Sequence, residues 1–401
     1  MGWFAMTPRR QAQSLVRVAL VASLCAIGVM RVPSAQQRGP DAVRPIDPLG
    51  IALPPESESA GETRFSFIVY GDTRHPPDGE ILQPGHSKVV DQMIASASEL
   101  QAEDFPVRFI LQTGDAVQDG RVATHWNVSF TPILERLIRQ TRAPYFFAVG
   151  NHDVDFGNGG QRRVGDPDRE LGLRNTSAAM TALWPKEGSP RRLDRYPTFA
   201  FGYGHYFVLA IDSNIAFDDT QFNWVSRQLE ALDRTRYPHV VAFFHHPVLS
   251  SGRHGGAKIE PQSDLMRRRF LPLFRRHHVR MTIAGHDHFY DHFVERYDDA
   301  SGSHRMDHIV TAGGGAPVYT YNGEPDLNEY AKTAAPQRVR VEHAVHPGSS
   351  EQENPHHFLV VEVDENRVWL RVIGVESRPF RPYGEPRVEL TELGPVGAQV
   401  R

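Results

Sequence analysis

The sequence predicts a layered α/β fold whose working groups sit beyond the carboxyl ends of its strands. Short β-branched and aromatic runs recur along it: "FSFIVY" from Phe65, "VRFILQT" from Val107, "PYFFAV" from Pro144, "YFVLAI" from Tyr206, "HVVAFF" from His239 and "VRMTIA" from Val279. Several are nearly continuous in hydrophobicity, as strands covered on both faces are. Helix-like stretches begin between them at Ser87, Phe130, Gln221 and Asp264. Strands alternating with helices give the class.

In chain order, residues 1–35 have the pattern of a secretory signal: Arg9 and Arg10, an apolar stretch short for a membrane span, then small residues at Ser34 and Ala35. An extracytoplasmic protein, periplasmic or secreted, is therefore expected, with no stable membrane insertion after cleavage. Residues 36–62 are rich in Pro, Gln, Glu and Ser and read as a linker or a tail wrapped on the surface. One domain is expected over 63–393, followed by a tail at 394–401. Inside it, residues 322–356 are polar, lack strong periodicity and read as a long excursion, and residues 357–374 read as two strands around a tight turn.

A net charge of -4 excludes a broadly basic surface, so no nucleic-acid partner is expected. The runs "RRRF" and "RRHH" fall on one helix and read as its solvated face. The single cysteine, Cys25, lies in the signal segment, which leaves the mature chain without disulfides, thiolate metal ligands or a cysteine nucleophile. Its chemistry must come from oxygen and imidazole groups.

Those groups cluster where strands end. "FIVY" leads into "GDTRH" (71–75), "FILQT" into "GDAVQDG" (114–120), "FFAV" into "GNHD" (150–153), "VVAFF" into "HHP" (245–247) and "MTIA" into "GHDH" (285–288). Ligands of open α/β sheets bind beyond such ends, and glycine there lets the backbone approach closely. Asp, His and Asn ligands without thiolate suit Zn, Mn, Fe or Ni. A shared carboxylate can bridge two ions about 3.5–4 Å apart, the spacing that serves phosphoryl transfer.

The series resembles the motifs of the calcineurin-like metallophosphoesterase superfamily (D-x-H, GD-x-x, GNH[DE], H and GH-x-H) over residues 64–320. "GYGHYFVLAIDSN" with "DTQFNWVSRQLEAL", and "HHPVLSSGRHG", are similar to the purple and tartrate-resistant acid phosphatase branch. The resemblance implies a four-layer α/β/β/α sandwich of two packed mixed β-sheets flanked by helices. It implies two divalent or trivalent ions (Fe, Zn or Mn) and a phosphorylated small-molecule substrate, a monoester or diester, attacked by a metal-bound hydroxide. Asp72 would bind the first metal and Asp115 would bridge both. Asn151, His245 and His286 would complete the second, and His288 would return to the first. His152 would contact the phosphoryl group, and His246 would support a ligand from behind or be structural. His254 is a candidate leaving-group acid or else a histidine of a glycine-rich surface loop. Asp153 and Asp287 would orient neighbouring histidines.

The pattern departs at the first metal. Arg74, followed by His75, stands where the family has a histidine, and Gln118 stands where purple acid phosphatases have a tyrosine. A guanidinium cannot ligate a cation. Gln118 through its carbonyl oxygen, His75, or water and substrate would complete the site. Arg74 either binds a phosphate oxygen or pairs with a carboxylate, and no iron–tyrosinate colour is expected. The alternatives are a phosphate- or partner-binding protein with a degenerate first site, and a metal hydrolase acting on an amide or pyrophosphate.

Overall fold

A computed structural model describes residues 42–76, 81–155, 164–255, 260–334, 338–375 and 388–389. The expected signal segment, residues 36–41 and the expected tail at 394–401 lie outside the described residues.

The first strands are β1 (Arg64–Tyr70), β2 (Val107–Gln112) and β3 (Tyr145–Phe147). Then come β4 (Phe199–Tyr203), β5 (Tyr206–Ala210), β6 (His239–Phe243), β7 (Met281–Ala284), β8 (Tyr290–Asp299), β9 (Gly302–Thr311) and β10 (Val339–Val345). The last are β11 (His357–Asp364), β12 (Arg367–Gly374) and β13 (Val388–Glu389). One sheet runs β13-β12-β11-β1-β2-β3, so the chain's end returns to its beginning; the other runs β10-β8-β9-β7-β6-β5-β4. Both are mixed: β1, β2 and β3 are parallel while β11 is antiparallel to β1, and β5, β6, β7 and β9 are parallel while β4, β8 and β10 run against their neighbours.

An aromatic seam joins the two sheets. Phe65 meets Tyr203 edge-on at 5.0 Å, Phe109 meets Phe201 at 5.3 Å, and Phe146 stacks on Phe201 at 4.0 Å. Period two decides which side chains enter it. On β5, Tyr206, Val208 and Ala210 join this seam, while Phe207 and Leu209 pack on the opposite face with Trp224, Val225, Phe270 and Phe274. Those last four belong to the helix Asp219–Glu230 and to a helical run from Pro261 to Arg276 that passes through a π turn at Met266–Phe270. Helices Pro84–Ala102 and Thr131–Thr141 contribute Val89, Met93 and Leu134 to the core on the first sheet's side. The result is the expected four-layer sandwich.

Residues 42–62 are a tail wrapped on this body. Ile46 is fully buried and bonds Ala179 O through its backbone, and Glu56 accepts two bonds from Arg191 and one from Tyr237. The stretch 322–356 is more regular than its polar sequence predicts: it holds the helix Pro325–Ala334 and the edge strand β10. Arg275 leaves the expected solvated face, since its guanidinium pairs at 2.6 Å with Glu295, a fully buried carboxylate on β8.

No helix among the described residues is long and apolar enough to cross a membrane. The loops after β1, β2, β3, β6 and β7 carry the five polar clusters and open at the same end of the two sheets.

Candidate metal centre

Three of the candidate ligands have left-handed backbones: Asp72 at φ 59°, Asp115 at φ 54° and His286 at φ 76°. Non-glycine residues adopt this region at a cost that the surroundings must offset, and such strain gathers at functional sites. Here the turns leave no room for a side chain on the adjoining glycines. A Cβ on Gly150 would stand 2.2 Å from Asp115 Oδ1, and one on Gly285 would stand 2.4 Å from Asp72 Oδ2.

On one side of Asp115, three other donors converge. His245 Nε2 lies 2.8 Å from Asn151 Oδ1, 3.0 Å from His286 Nδ1 and 3.4 Å from Asp115 Oδ1. Their far atoms are tied down: His245 Nδ1 lies 2.9 Å from Thr113 O, and His286 Nε2 lies 3.0 Å from Glu260 Oε2. Such outer partners fix the tautomer and aim of a ligating imidazole. His246 is buried beside them with Nδ1 against Ser213 Oγ at 2.8 Å, and it offers a donor atom within 4.8 Å of donors of His245 and His286.

On the other side, His288 Nε2 is 3.3 Å from Asp72 Oδ1, and donor atoms of Asp72, Asp115 and His288 all lie within 4.8 Å of one another. His288 Nδ1 is held 2.5 Å from Pro317 O, and its ring stacks on Tyr319 at 4.0 Å. Arg74 fills the flank of this group. Its Nη1 donates to Gln118 Oε1 at 2.8 Å, its Nε lies 3.7 Å from Asp115 Oδ2, and its Nη2 reaches Tyr319 OH at 3.5 Å. Gln118's carbonyl oxygen is thus engaged by Arg74. His75 turns away to Pro76 O and to the ring of His125.

Burial holds the imidazoles neutral: His286 well below its ordinary range, His288 at about 3 and His152 at about 4. Asp72 is pushed up to about 8, chiefly by burial. Burial would also raise Asp115, but His245, His152 and Arg74 outweigh it and hold that carboxyl low. Imidazole nitrogens facing each other beside two buried carboxyls fit a bound cation.

His152 sits at the rim, Nδ1 against Gln118 O at 2.8 Å and Nε2 3.9 Å from Asp115 Oδ2. His254 comes to the same cavity. Its Nδ1 lies 2.5 Å from Glu260 Oε1; burial lowers its pKa, but this bond and the charges of Asp287 and Glu260 together raise it, while Arg253 Nε approaches its Nε2 at 3.1 Å. Two expected roles are corrected. Asp153 orients no imidazole; it accepts the backbone N–H groups of Gly150, Asp115 and Ala116, each at 2.8 Å, and so binds two of the loops together. Asp287 likewise takes Ser250 Oγ and the backbone of His254 rather than a ring. Glu260, Arg253 and Tyr319 escaped the sequence reading, since none lies in a strand-end cluster and only folding brings them in.

The cavity these side chains enclose is about 100 Å³. Sites that engulf a drug-sized ligand start near roughly 300 Å³, so this one admits only a small group.

Similarity to known proteins points the same way. Arabidopsis thaliana purple acid phosphatase 22 is 24% identical over 223 residues, covering 55% of this chain and 46% of that protein. Probable inactive purple acid phosphatase 9 of the same plant is 22% identical over 218 residues, covering 51% of this chain and 32% of that protein. The chain thus spans half or less of the length of these relatives. Purple acid phosphatase PPD1 from yellow lupin (Lupinus luteus) seeds superposes with a TM-score of 0.56 at 17% identity, over 82% of this chain and 54% of that one, a likeness of fold. The family model of calcineurin-like phosphoesterases matches residues 65–290, the span that carries all five strand-end clusters, and the chain belongs to that family.

Proposed function

We propose that the chain is an exported, metal-dependent phosphoesterase that hydrolyses a small phosphomonoester or phosphodiester at a two-ion centre. The observation that carries this reading is the meeting of Asp72, Asp115, Asn151, His245, His286 and His288 at one cavity, their donor atoms turned toward one another. Bound there, metal ions would supply a Lewis acid for phosphoryl oxygens and acidify a water.

The chain's own residues do the rest. Arg74 presents a buried guanidinium to the cavity and neutralises phosphate charge. His152 has Nδ1 committed to Gln118 O and its Nε2 on the side of Asp115; an incoming phosphate dianion favours its protonated form, which donates to a phosphoryl oxygen. His254, kept basic by Glu260, is the leaving-group acid once Arg253 exchanges its contact with Nε2 for a phosphate oxygen.

The test is metal content per mature chain by elemental analysis, with hydrolysis of p-nitrophenyl phosphate and its bis ester measured on the same sample. Two ions at these six donors, counted as the difference from Asp115→Asn/His245→Ala, and turnover are expected. A single ion and no turnover with any metal supplied would sink the reading. That outcome would favour a second one, a phosphate-binding protein with little turnover, for which the hydrogen bond between Arg74 and Gln118 on the first-metal side is the supporting observation.

A further inference from the structure

A second group of donors lies where the stretch 322–356 meets β8. Glu324 precedes the helix Pro325–Ala334 and begins its hydrogen bonding, its carbonyl accepting from Asn328 N–H at 2.9 Å. His343 lies on β10 and His346 just after it. Residues three apart on a regular strand face opposite sides. Here the pairing of β10 with β8 slips between His343 and Val345, and the two imidazoles come together with ring centroids 3.8 Å apart. A bulge is a common way to re-aim a side chain. Glu324 Oε1 stands 2.5 Å from His343 Nδ1 and 3.4 Å from His346 Nδ1.

His343 is set as a metal-ligating histidine is set. Its ring stacks on Phe293 at 4.1 Å, and its Nε2 bonds Asp291, a fully buried carboxylate on β8. Asp291's other oxygen accepts the backbone N–H and the hydroxyl of Ser251 at 2.9 and 2.8 Å. A carboxylate behind an imidazole orients it and strengthens it as a ligand.

We propose that Glu324, His343 and His346 hold a divalent cation of the zinc type, separate from the central donors. One carboxylate and two imidazoles suit zinc and leave a fourth position for water beside the half-exposed His346. Ligands about 2.0–2.2 Å from a tetrahedral ion stand roughly 3.3 Å apart. The pair Glu324–His346 already has that spacing, and Glu324–His343 would open by less than about 1 Å. Through Asp291 the ion would tie the stretch 322–356 to Ser251, in the loop that leads to His254.

The experiment counts zinc in metal-stripped mature protein dialysed against zinc chloride, in two backgrounds: wild type, and Asp115→Asn/His245→Ala, which disables the central donors. Adding His346→Ala is expected to remove one zinc ion per chain in each background. Glu324→Gln should do the same, and His346→Ala alone should leave p-nitrophenyl phosphate turnover unchanged. Equal zinc content with and without His346→Ala overturns the proposal, even where only the wild-type background yields folded protein. The count is a difference between paired chains, so absent phosphoesterase activity would leave its outcome standing.

Discussion

On one side of Asp115 stand Asn151, His245 and His286, with oxygen and nitrogen atoms turned to a common point. On the other stand Asp72 and His288, with a guanidinium where a further ligand would be. Each side has one acidic partner beyond Asp115 or none, yet their charge balance differs. The Asn151 side has no guanidinium, while Arg74 already offsets charge on the side of Asp72. A cation on the Asn151 side meets donors alone. A cation beside Asp72 must share the pocket with Arg74 or displace it, and at close range in a buried site that repulsion is weakly screened. Retention of metal should therefore be stronger on the Asn151 side.

The largest effect is expected where the two sides meet. Asp115→Asn removes the shared charge, and turnover should fall at least ~100-fold with metal lost from both sides, read by elemental analysis and p-nitrophenyl phosphate hydrolysis. Asn151→Ala should cost turnover comparably but leave the metal beside Asp72 in place. Equal loss of both ions from Asn151→Ala would show one cooperative site rather than two sides.

Next comes His254, the proposed leaving-group acid. His254→Gln should slow an alkyl phosphate by roughly 10²–10⁴-fold and p-nitrophenyl phosphate, whose leaving group needs no proton, far less. The pH profile gives a second check. Glu260 raises the pKa of His254, so its acid form persists to higher pH, and activity on alkyl phosphates should fall as pH rises through that pKa. Glu260→Gln should move this limb to lower pH. An unmoved limb would assign it to another group.

Arg74 is the sharper probe of the asymmetry. Arg74→Ala should raise KM roughly tenfold or more if the guanidinium holds phosphate, since a hydrogen bond to a charged group is worth about 1.5–3 kcal/mol. Arg74→His, which restores the family's histidine, should increase the metal retained per chain. A variant that binds no more metal and keeps its KM would reduce Arg74 to a structural partner of Gln118.

Much of this centre was legible because its residues follow strands directly, and a strand's apolar run is a clear signal. Asp72, Asp115, Asn151, His245, His286 and His288 are all marked in that way. Glu260 stands outside the strand-end clusters and Tyr319 lies far in sequence from His288, and nothing local distinguishes them. The fold shows the same division. β1, β2, β5, β6, β7, β11 and β12 announce themselves as apolar runs, whereas β8 and β9 read "YDHFVERYDD" and "GSHRMDHIVT" and carry buried charge. Glu295 with Arg275, and Asp307 with His292 and Arg305, satisfy one another inside the sheet, so polarity there masks burial. Arg74 was open between phosphate and carboxylate for a related reason. A sequence gives its distance from Asp72 along the chain but not the reach of Gln118, which arrives from the next loop.

Gln118 offers the smallest and most discriminating effect. Its Oε1 accepts from Arg74 at 2.8 Å while its backbone carbonyl steadies His152, so the side chain and the main chain serve different neighbours. Gln118→Ala leaves the His152 contact intact and frees one guanidinium nitrogen, a loss of about 1.5–3 kcal/mol of charged hydrogen bonding to be recovered in part from water or substrate. If Gln118 only steers Arg74, KM should change less than in Arg74→Ala and metal content should stay constant. If its carbonyl oxygen turns to a metal when one is bound, metal retention beside Asp72 should fall instead. The ratio of metal lost to KM gained in this one variant therefore separates a second metal ligand from a support for Arg74.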